Sequence, residues 1–332
     1  MSALVKRGNV PGDAGIGGRE VPRPPAGHVL VRTEACGLCG SDVHAWRQDA
    51  GYDWVRAPVT LGHEAIGEVV AVGPGADRAW VGRRVVPVSI DGCGDCPTCH
   101  EGLRQLCPDR TVLGLSFDGA AAEFFVIDER RLVPVDVDLP ASTLVLTEPL
   151  SVAHRAVRHL ERADAAHDAV VSGPGPIGLM IALLLRQRGH RVVLVGAERD
   201  RHRRLAVAAS LGLRTRVAGE DTGTRPSGWV EASGSSQALQ AALHRIRAGG
   251  TVVVPALFGG ATDPDVNVLT RAEIRLQGSY GSLAEDYRDA LTTLAANPDP
   301  WSCLVTTFPL TDADRALHAA AAAEVFKAAL VP

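Results

Sequence analysis

The sequence predicts an α/β protein of two domains, a β-rich domain that comes first and a doubly wound parallel sheet that follows. Its length of 332 residues suggests two domains. Short valine-rich runs between glycine and proline residues fill the chain up to about residue 145. From about residue 148, strand-like runs alternate with helical patterns, which is typical of a parallel sheet. An apolar content of 46% is that of a chain with sizeable cores.

The first part of the chain is predicted to be β-rich because its apolar runs are short and end at turn-forming residues. The predicted strands are residues 29–31, 66–72, 84–88 and 122–127. They do not form the regular strand–helix repeat of a parallel sheet, so this domain differs in architecture from the next one.

A regular alternation begins near residue 148. Leu150, Ala153, Val157 and Leu160 lie three to four positions apart and predict a helix. Strands are predicted at 169–171, 191–195, 229–232 and 251–255, with helices at 177–185 and 238–246. This order predicts a parallel, doubly wound sheet. From about residue 279 the alternation stops, and helices at 286–295 and 312–323 precede a last strand at 325–331.

Composition and charge exclude several classes of partner. The formal net charge of −4 gives the whole protein no attraction to nucleic acid or to an anionic membrane. No apolar run approaches the roughly 20 residues of a membrane span, and residues 1–10 lack a signal-peptide core. Seven cysteines, an odd number with four in a metal-binding spacing, indicate a reducing compartment. We therefore expect a cytoplasmic protein without nucleic-acid or membrane partners.

Four cysteines lie close together in a spacing that suits a zinc ion. Cys93, Cys96, Cys99 and Cys107 are separated by two, two and seven residues, and four thiolates close a tetrahedron around Zn²⁺. A zinc-ribbon nucleic-acid module would need a second cysteine pair and a basic surface, and unligated cytosolic thiols are the other alternative. Because closed all-sulfur sites are structural, we expect a structural zinc lobe at residues 90–108.

A second set of potential ligands is scattered along the chain: Cys39, His63, Glu64 and Glu148. Mixed ligand sets leave a coordination position open and are typical of catalytic zinc. Each residue also has an ordinary explanation by itself. Cys39 fits a small core residue or a redox pair with Cys36, His63 a hydrogen-bonded core histidine, and the glutamates solvated carboxylates. Together with the glycine run described next, they favour a catalytic zinc site.

A glycine run at residues 173–178 predicts a dinucleotide site. Gly173, Gly175 and Gly178, with Pro176 and Ile177 among them, lie between a predicted strand and a predicted helix, the context that this motif requires. The free N–H groups at the start of that helix face the pyrophosphate of a bound dinucleotide.

In this order and spacing, the motifs resemble the medium-chain, zinc-dependent alcohol dehydrogenase superfamily, and most closely its sorbitol (polyol) and threonine dehydrogenase branch. The likeness covers essentially the whole chain. It rests on the four-cysteine lobe and on the segments Cys39-Gly40-Ser41-Asp42-Val43-His44, Gly62-His63-Glu64 with Gly67, Glu148-Pro149-Leu150 and Gly173-Pro174-Gly175-Pro176-Ile177-Gly178.

The resemblance implies a GroES-like catalytic domain at residues 1–148, a Rossmann NAD(P)-binding domain at 149–278 and a segment at 279–332 that returns to the catalytic domain. It also implies an active site in the cleft between the domains, and a homodimer or homotetramer.

The resemblance further implies a role for each site residue. Cys39 and His63 bind the catalytic zinc, Glu64 is a third or a switching ligand, and Glu148 binds the metal directly or through water. Asp42 orients His63, while Ser41 and His44 relay the alcohol proton to solvent. Zinc makes a bound alcohol more acidic, and its hydride passes to the nicotinamide.

The loop after residues 191–195 bears on the choice between NAD and NADP. Family enzymes that prefer NAD carry an acidic residue at the end of this strand, where the chain has Gly196. Arg199 and Arg201 follow in a loop longer than that of liver-type enzymes and favour a 2′-phosphate, hence NADP. Glu198 or Asp200, folded back onto the ribose, would favour NAD instead.

We therefore expect a zinc- and NAD(P)-dependent oxidoreductase with one catalytic and one structural zinc per chain. Its predicted substrate is a secondary alcohol or ketone of a polar, polyhydroxylated small molecule: a polyol, a sugar, an aminocyclitol or an amino-sugar. The open alternatives are a 3-hydroxy amino acid, as in threonine dehydrogenases, and a zinc-binding protein that keeps the fold without catalysis.

Two departures from the branch are visible in the sequence. The branch often carries an arginine near Tyr280, where this chain reads Gly-Ser-Tyr-Gly-Ser at 278–282, and this disfavours strict sorbitol specificity. Residues 214–228 are mostly polar and short where relatives have a further strand and helix, which predicts reduced helical cover on one face of the sheet.

Overall fold

A computed structural model describes residues 1–164 and 167–332. The chain divides into two units, one made of Met1–Ser151 together with Ser282–Pro332, and the other of Val152–Gly281. The C-terminal segment therefore belongs to the first unit. None of the described helices combines the length and the apolar composition that crossing a bilayer requires.

The first unit is rich in strands, whereas strands and helices alternate in the second. The strands are β1 (Ser2–Lys6), β2 (Ala14–Gly18), β3 (His28–Gly37), β4 (Val59–Thr60), β5 (Glu64–Val72), β6 (Arg84–Pro87), β7 (Ile90–Asp91), β8 (Thr111–Val112), β9 (Phe124–Asp128), β10 (Leu132–Pro134), β11 (Asp168–Ser172), β12 (Arg191–Gly196), β13 (Arg214–Val217), β14 (Gly228–Glu231), β15 (Thr251–Val254), β16 (Arg275–Gly278), β17 (Val305–Pro309) and β18 (Lys327–Val331). The helices are α1 (Gly40–Arg47), α2 (Pro97–His100), α3 (Ala141–Leu144), α4 (Thr147–Arg162), α5 (Pro176–Gln187), α6 (Arg204–Ser210), α7 (Ser236–Arg245), α8 (Val266–Arg271), α9 (Ala284–Ala296), α10 (Asp299–Ser302) and α11 (Ala313–Ala321).

The largest sheet of the first unit has the order β10-β6-β5-β3-β18-β17, with β9 also paired to β3. Its neighbours are antiparallel except for β17 and β18. Alternate residues of β3, such as Val29 and Val31, point into the core. Gly67 lets β5 approach β3 closely, because a Cβ there would lie 2.7 Å from Val31 Cγ1. The last strand of the chain thus lies beside the strands that lead to the predicted metal ligands.

The second unit contains a parallel sheet in the order β13-β12-β11-β14-β15-β16. This is a doubly wound order, and the order reverses between β11 and β14. Val170, Val193 and Trp229 from neighbouring strands pack against Leu239 of α7 in one core. Helix α5 begins with a proline in its first turn, which suits a helix start, and it is buried from Gly178 to Leu185.

Residues 214–228 hold a strand that their polar composition did not reveal. Arg214–Val217 forms β13, which pairs in parallel with β12 at the edge of the sheet. An edge strand tolerates exposed charged residues, and Arg214 is exposed. No helix lies among residues 218–227, all of which the structure describes, so β13 connects to β14 through an irregular loop.

Candidate functional site

The four-cysteine lobe has the dimensions of a zinc site. The Sγ atoms of Cys93, Cys96, Cys99 and Cys107 all lie within 4.8 Å of one another. Cys107 Sγ is 3.6 Å from Cys93 Sγ and 3.7 Å from Cys96 Sγ. A tetrahedron with Zn–S bonds of about 2.3 Å has S···S edges of about 3.8 Å. The spacing of the sulfurs therefore fits Zn²⁺.

The backbone of the lobe explains how the sulfurs come together. A Cβ on Gly92 would lie 2.5 Å from Cys99 Sγ, so only glycine fits at that position. The backbone N–H groups of Cys93 and Gly94 donate to Cys107 Sγ and Cys99 Sγ, each at 3.4 Å. Such N–H groups stabilise negative charge on sulfur, which favours the thiolates that zinc binds.

Three of the four scattered ligands converge. Cys39, His63 and Glu64 each place one ligand atom within 4.8 Å of the others. Cys39 follows β3 and precedes α1, and antiparallel pairing sets Gly37 opposite Glu64, so the two segments lie side by side. Gly62, with φ of +93°, turns the chain just before His63. A thiol, an imidazole and a carboxylate suit zinc and leave a fourth position free.

Glu64 is engaged by a lysine that sequence reasoning missed. Lys327 Nζ lies 2.6 Å from Glu64 Oε1 and 2.7 Å from Oε2, and it donates to Leu38 O at 3.2 Å. Both charged side chains are buried. Burial by itself lowers the pKa of Lys327, but the negative charges of Glu64, Cys39 and Glu148 and the hydrogen bond to Glu64 together raise the pKa. The available signal was a lysine in the otherwise apolar run at 327–331.

Asp42 connects the two segments that carry the ligands. Its Oδ2 accepts the Cys39 N–H at 2.8 Å, and its Oδ1 accepts the Gly62 N–H at 3.1 Å. Oδ1 also lies 3.6 Å from His63 Nδ1, a buried nitrogen with no hydrogen-bond partner among the described residues. Burial raises the pKa of Asp42, and His63 opposes this rise. With Nδ1 facing Asp42, Nε2 is the nitrogen that remains for a metal.

Ser41 and His44 lie on α1 at different depths. Ser41 Oγ is 3.2 Å from Cys39 Sγ and 3.4 Å from His63 Nε2, so its hydroxyl lies against two ligand atoms. The His44 ring is half exposed, and its Nδ1 lies 2.7 Å from Asp49 Oδ2. The same ring stacks on Tyr52 at 5.2 Å between centroids.

Glu148 is buried near the three converging ligands but is not one of them. It lies in the first turn of α4, and Ser89 Oγ donates to its Oε1 at 2.7 Å. Burial raises the pKa of Glu148, with an opposing effect of His63 and a further rise from Glu64. Burial alone would lower the pKa of His63, but neighbouring negative groups, Asp42 foremost, raise it well above its usual range. This excess of negative charge is what a divalent cation would neutralise.

The glycine run lies between β11 and α5. Gly173 has φ of +97°, in the left-handed region, and Gly175 is the residue that precedes α5. A Cβ on Gly178 would overlap with Gly173 O, whereas a Cβ on Gly175 would have only Arg204 Nη1 near it, at 3.9 Å. The fold therefore requires glycine at 178, while Gly175 leaves open space in front of the helix N-terminus.

The arginines in the loop after β12 differ in their ion pairs and in their exposure. Gly196 ends β12 and has no room for a side chain, because the nearest atom to a Cβ would lie at 2.9 Å. Arg201 forms ion pairs with Glu198 at 2.6 Å and with Glu220 at 3.3 Å. Arg199 is exposed. The charge of Arg201 is thus neutralised within the protein.

Arg204 is the second residue that the sequence did not single out. It is one of four arginines in residues 199–204. It begins α6, and its Nη1 is the neighbour of Gly175 described above. Its Nε is buried and has no hydrogen-bond partner among the described residues. Burial lowers the pKa of Arg204, and Asp200 opposes this effect. A guanidinium beside a helix N-terminus is suited to bind an anion.

We expect alanine to have different effects on stability at two of these glycines. Gly178→Ala forces a Cβ onto the Gly173 carbonyl and should lower the free energy of unfolding by about 1–3 kcal/mol. Gly175→Ala, at φ −71°, meets no obstacle, but alanine caps a helix less well than glycine, so that free energy should change by less than about 1 kcal/mol. Gly175→Ala should nevertheless weaken dinucleotide binding, because its methyl group occupies the approach to the helix. Denaturant unfolding and a fluorescence titration measure the two effects, and unaltered binding by Gly175→Ala would contradict this use of the glycine.

Comparison with known proteins covers both halves of the chain. Residues 25–137 match the model of the alcohol dehydrogenase GroES-like domain, and residues 176–296 match that of the zinc-binding dehydrogenase family. D-altritol 5-dehydrogenase of Agrobacterium fabrum is 33% identical over 85% of each chain. Sorbitol dehydrogenase of Halalkalibacterium halodurans is 29% identical over 100% of this chain and 99% of its own. The crystal structure of 2R,3R-butanediol dehydrogenase from Bacillus subtilis has a TM-score of 0.87 at 25% identity, covering 100% of this chain and 99% of that chain.

These matches confirm the fold class predicted from the sequence, a GroES-like domain with a Rossmann-type parallel-sheet domain. They also confirm the predicted enzyme class, a zinc-dependent and NAD(P)-dependent alcohol oxidoreductase. The chain belongs to the medium-chain, zinc-dependent alcohol dehydrogenase superfamily.

Proposed function

We propose that this enzyme interconverts a secondary alcohol and its ketone on a polar, polyhydroxylated small molecule: a polyol, a sugar, an aminocyclitol or an amino-sugar. The observation that most supports the chemistry is the convergence of Cys39, His63 and Glu64, with the Ser41 hydroxyl against two of them. The names of two relatives, a sorbitol and a D-altritol dehydrogenase, support the polyol member of this class. A reducing cytoplasm suits a chain whose cysteines are free thiols.

Several residues of the first unit would bind the catalytic and the structural zinc, and their roles differ. When bound, the catalytic zinc acts as a Lewis acid that makes a substrate hydroxyl more acidic or polarises a carbonyl. Cys39 and His63 would hold it permanently. Glu64 would be a third or a switching ligand, because both of its oxygens contact Lys327 and a metal would share this carboxylate with the ammonium. Glu148 would contribute directly or through water, and the four-cysteine lobe would hold the second, structural zinc.

Two side chains of α1, Ser41 and His44, would carry the substrate proton to solvent. Ser41, whose hydroxyl lies against Cys39 Sγ and His63 Nε2, would accept the proton of the substrate hydroxyl while it releases its own hydroxyl proton towards His44. His44, three residues further along α1, has a half-exposed ring and delivers the proton to water. Asp49 holds that ring in place through Nδ1. A dinucleotide held by its pyrophosphate at the start of α5 would supply the nicotinamide that accepts the hydride.

We expect Ser41→Ala to lower kcat by about 10²–10⁴-fold, because the substrate proton loses its acceptor. Metal content measured by mass spectrometry should stay at the wild-type value, since the Ser41 hydroxyl is not a ligand. Ser210→Ala, which removes an exposed hydroxyl from α6, is the control and should leave kcat unchanged. Wild-type turnover by Ser41→Ala would remove Ser41 from the relay.

NADP is the cofactor that the second unit favours. Gly196 has no room for the carboxylate that would bind a ribose 2′-hydroxyl. The exposed Arg199 is the cation available for a 2′-phosphate. Arg204, beside Gly175 at the start of α5, would instead contact the pyrophosphate, which NAD and NADP share. Arg201 is the weaker candidate of the two arginines predicted from the sequence, because Glu198 and Glu220 already neutralise it.

The substrate and cofactor assignments are tested together by following nicotinamide absorbance with the zinc-loaded protein. NADPH should support a higher kcat/KM than NADH on a panel of polyols, sugars, aminocyclitols, amino-sugars, their ketones and 3-hydroxy amino acids. Arg199→Gln should raise KM for NADPH by about 10–100-fold, the loss expected for a charge-assisted hydrogen bond, and KM for NADH much less. Arg204→Gln should raise KM for both cofactors, because both carry the pyrophosphate. Arg191→Gln, which removes an exposed guanidinium at the opposite end of β12, is the matched control. Turnover confined to 3-hydroxy amino acids would replace the polyol assignment, and a preference for NADH would overturn the NADP assignment.

The edge strand β16 is the surface on which we propose a homodimer. All four of its residues are exposed, and Leu276 is 40% exposed on it. Leu257 and Val266 in the same unit are 68% and 64% exposed. An unpaired strand edge with exposed apolar side chains is a template for a second copy of the chain, and a twofold axis closes such a contact.

We expect Leu276→Asp to convert the dimer into monomers at micromolar concentration, because a charge on β16 disfavours pairing of two edges. Light scattering coupled to size-exclusion chromatography measures the mass. Val81→Asp places the same charge on an exposed valine of the first unit and should leave the dimer intact. A wild-type monomer, or a dimer that survives Leu276→Asp, would rule out this interface, whereas a wild-type tetramer reduced to dimers would assign β16 to one of two interfaces.

A further inference from the structure

A buried chain of hydroxyl groups connects Glu148 to the returning C-terminal segment. Ser89 Oγ donates to Glu148 Oε1 at 2.7 Å, and Tyr287 Oη donates to Ser89 Oγ at 3.2 Å. Tyr287 Oη also accepts the backbone N–H of Ser89 at 2.9 Å. Ser89 is 2% exposed, Glu148 8% and Tyr287 0%, so solvent contributes little to this chain of contacts.

The backbone of Ser89 is fixed from its other side as well. Arg131 Nη2 donates to Ser89 O at 2.5 Å, and its Nε donates to Val88 O at 2.9 Å. Arg131 is itself buried, and its guanidinium lies over the Phe117 ring at 5.3 Å. With its N–H held by Tyr287 and its carbonyl held by Arg131, the backbone of Ser89 is fixed, and the hydrogen bond from Tyr287 Oη favours the side-chain rotamer that faces Glu148.

The first turn of α4 is held to the same C-terminal segment. Ser151 Oγ donates to the backbone carbonyl of Glu148 at 2.6 Å and lies 2.7 Å from Ser282 Oγ. Ser282 and Tyr287 come from the start of the returning segment, Ser282–Pro332. The side chain of Glu148 is therefore located by a residue distant in sequence, whereas its main chain is held by Ser151, which in turn contacts the distant Ser282.

The direction of the hydrogen bonds follows from the charge of Glu148. A metal-binding carboxylate is ionised and only accepts hydrogen bonds, so with a metal bound Ser89 must donate to it. The Ser89 oxygen is then free to accept from Tyr287. Among the described residues, none donates a hydrogen bond to Glu148 Oε2. One carboxylate oxygen is thus taken by the protein, and the other is left for a metal or its water.

We propose that Ser89 and Tyr287 are positioning residues for the catalytic metal centre: they hold Glu148 by Oε1 so that Oε2 serves the ion bound by Cys39 and His63. This inference rests on the proposed function, because it requires a metal at those residues. Groups that orient a metal-binding carboxylate change metal affinity typically by about 10–100-fold when they are removed. Tyr287 therefore acts on the metal through Ser89 and Glu148, without touching the ion or the substrate.

The test compares Tyr287→Phe, which removes only the hydroxyl, with Thr143→Val. Thr143 is buried in the same unit, where its hydroxyl lies 3.1 Å from Ser302 Oγ and contacts no metal ligand, so this variant controls for the loss of a buried hydroxyl. The catalytic zinc is replaced by cobalt(II), whose visible absorption reports the ligand field, and its release to a chelator is followed by the loss of this absorption. Thermal denaturation of both variants is recorded alongside.

We expect Tyr287→Phe to shift the cobalt absorption and to speed release of the catalytic ion by about 10–100-fold. Thr143→Val should lower the melting temperature by a similar amount and leave spectrum and release rate at wild-type values. Ser89→Ala should reproduce the effect of Tyr287→Phe. An unchanged spectrum and release rate in both Tyr287→Phe and Ser89→Ala overturns the inference.

The failure of the proposed function has a different signature in the same experiment. If the wild-type protein takes up only one cobalt ion, in the four-cysteine lobe, or turns over no substrate when loaded, the proposed function itself fails. If the wild-type protein binds two ions and is active, but the variants match the Thr143→Val control, only the role of Ser89 and Tyr287 fails.

Discussion

The buried ion pair between Glu64 and Lys327 is the contact on which the catalytic unit most depends. Lys327 reaches Glu64 because β18 pairs with β3, with Leu330 opposite Cys36 and Ala329 opposite Gly37. Its ammonium also contacts Leu38 O, so one charge joins β3, β5 and β18. Removing one partner of such a buried pair typically costs about 3–5 kcal/mol, because the other charge is left without compensation. The end of the chain is therefore part of the candidate metal centre.

The two metal clusters differ in how the protein balances their charge. The four-cysteine lobe directs backbone N–H groups at its sulfurs and offers a closed set of four similar ligands. The other cluster gathers thiol, imidazole and carboxylate groups and surrounds them with Asp42 and Glu148. Lys327 compensates part of this negative charge, and a divalent cation would compensate more. The four cysteines would fill all coordination positions of a zinc ion, whereas the mixed cluster would leave one position for a substrate oxygen.

In the second unit, the start of α5 and the loop after β12 likewise combine neutralised charges with charges that remain available. Glycine at 178 is demanded by the packing of the turn, while glycine at 175 keeps the helix N-terminus accessible. Of the arginines near this turn, Arg201 is neutralised by two carboxylates, whereas Arg204 places Nη1 near Gly175 and has an Nε with no hydrogen-bond partner among the described residues. An anion at this place would meet a helix N-terminus and a guanidinium together.

The sequence by itself determined the features that depend on short spacing along the chain. The four-cysteine lobe, the Cys39 to His44 segment and the glycine run are local, so residue type and spacing were enough to predict their chemistry, and strand–helix alternation predicted the parallel sheet. Only the tertiary structure decided which distant residues complete the site: Lys327 on Glu64, Tyr287 and Ser89 on Glu148, and Arg204 beside Gly175. It also placed the polar run Arg214–Val217 at a sheet edge. These contacts could not be predicted because they depend on strand pairing and on the path of the returning segment, which leave no periodic signal in composition or spacing.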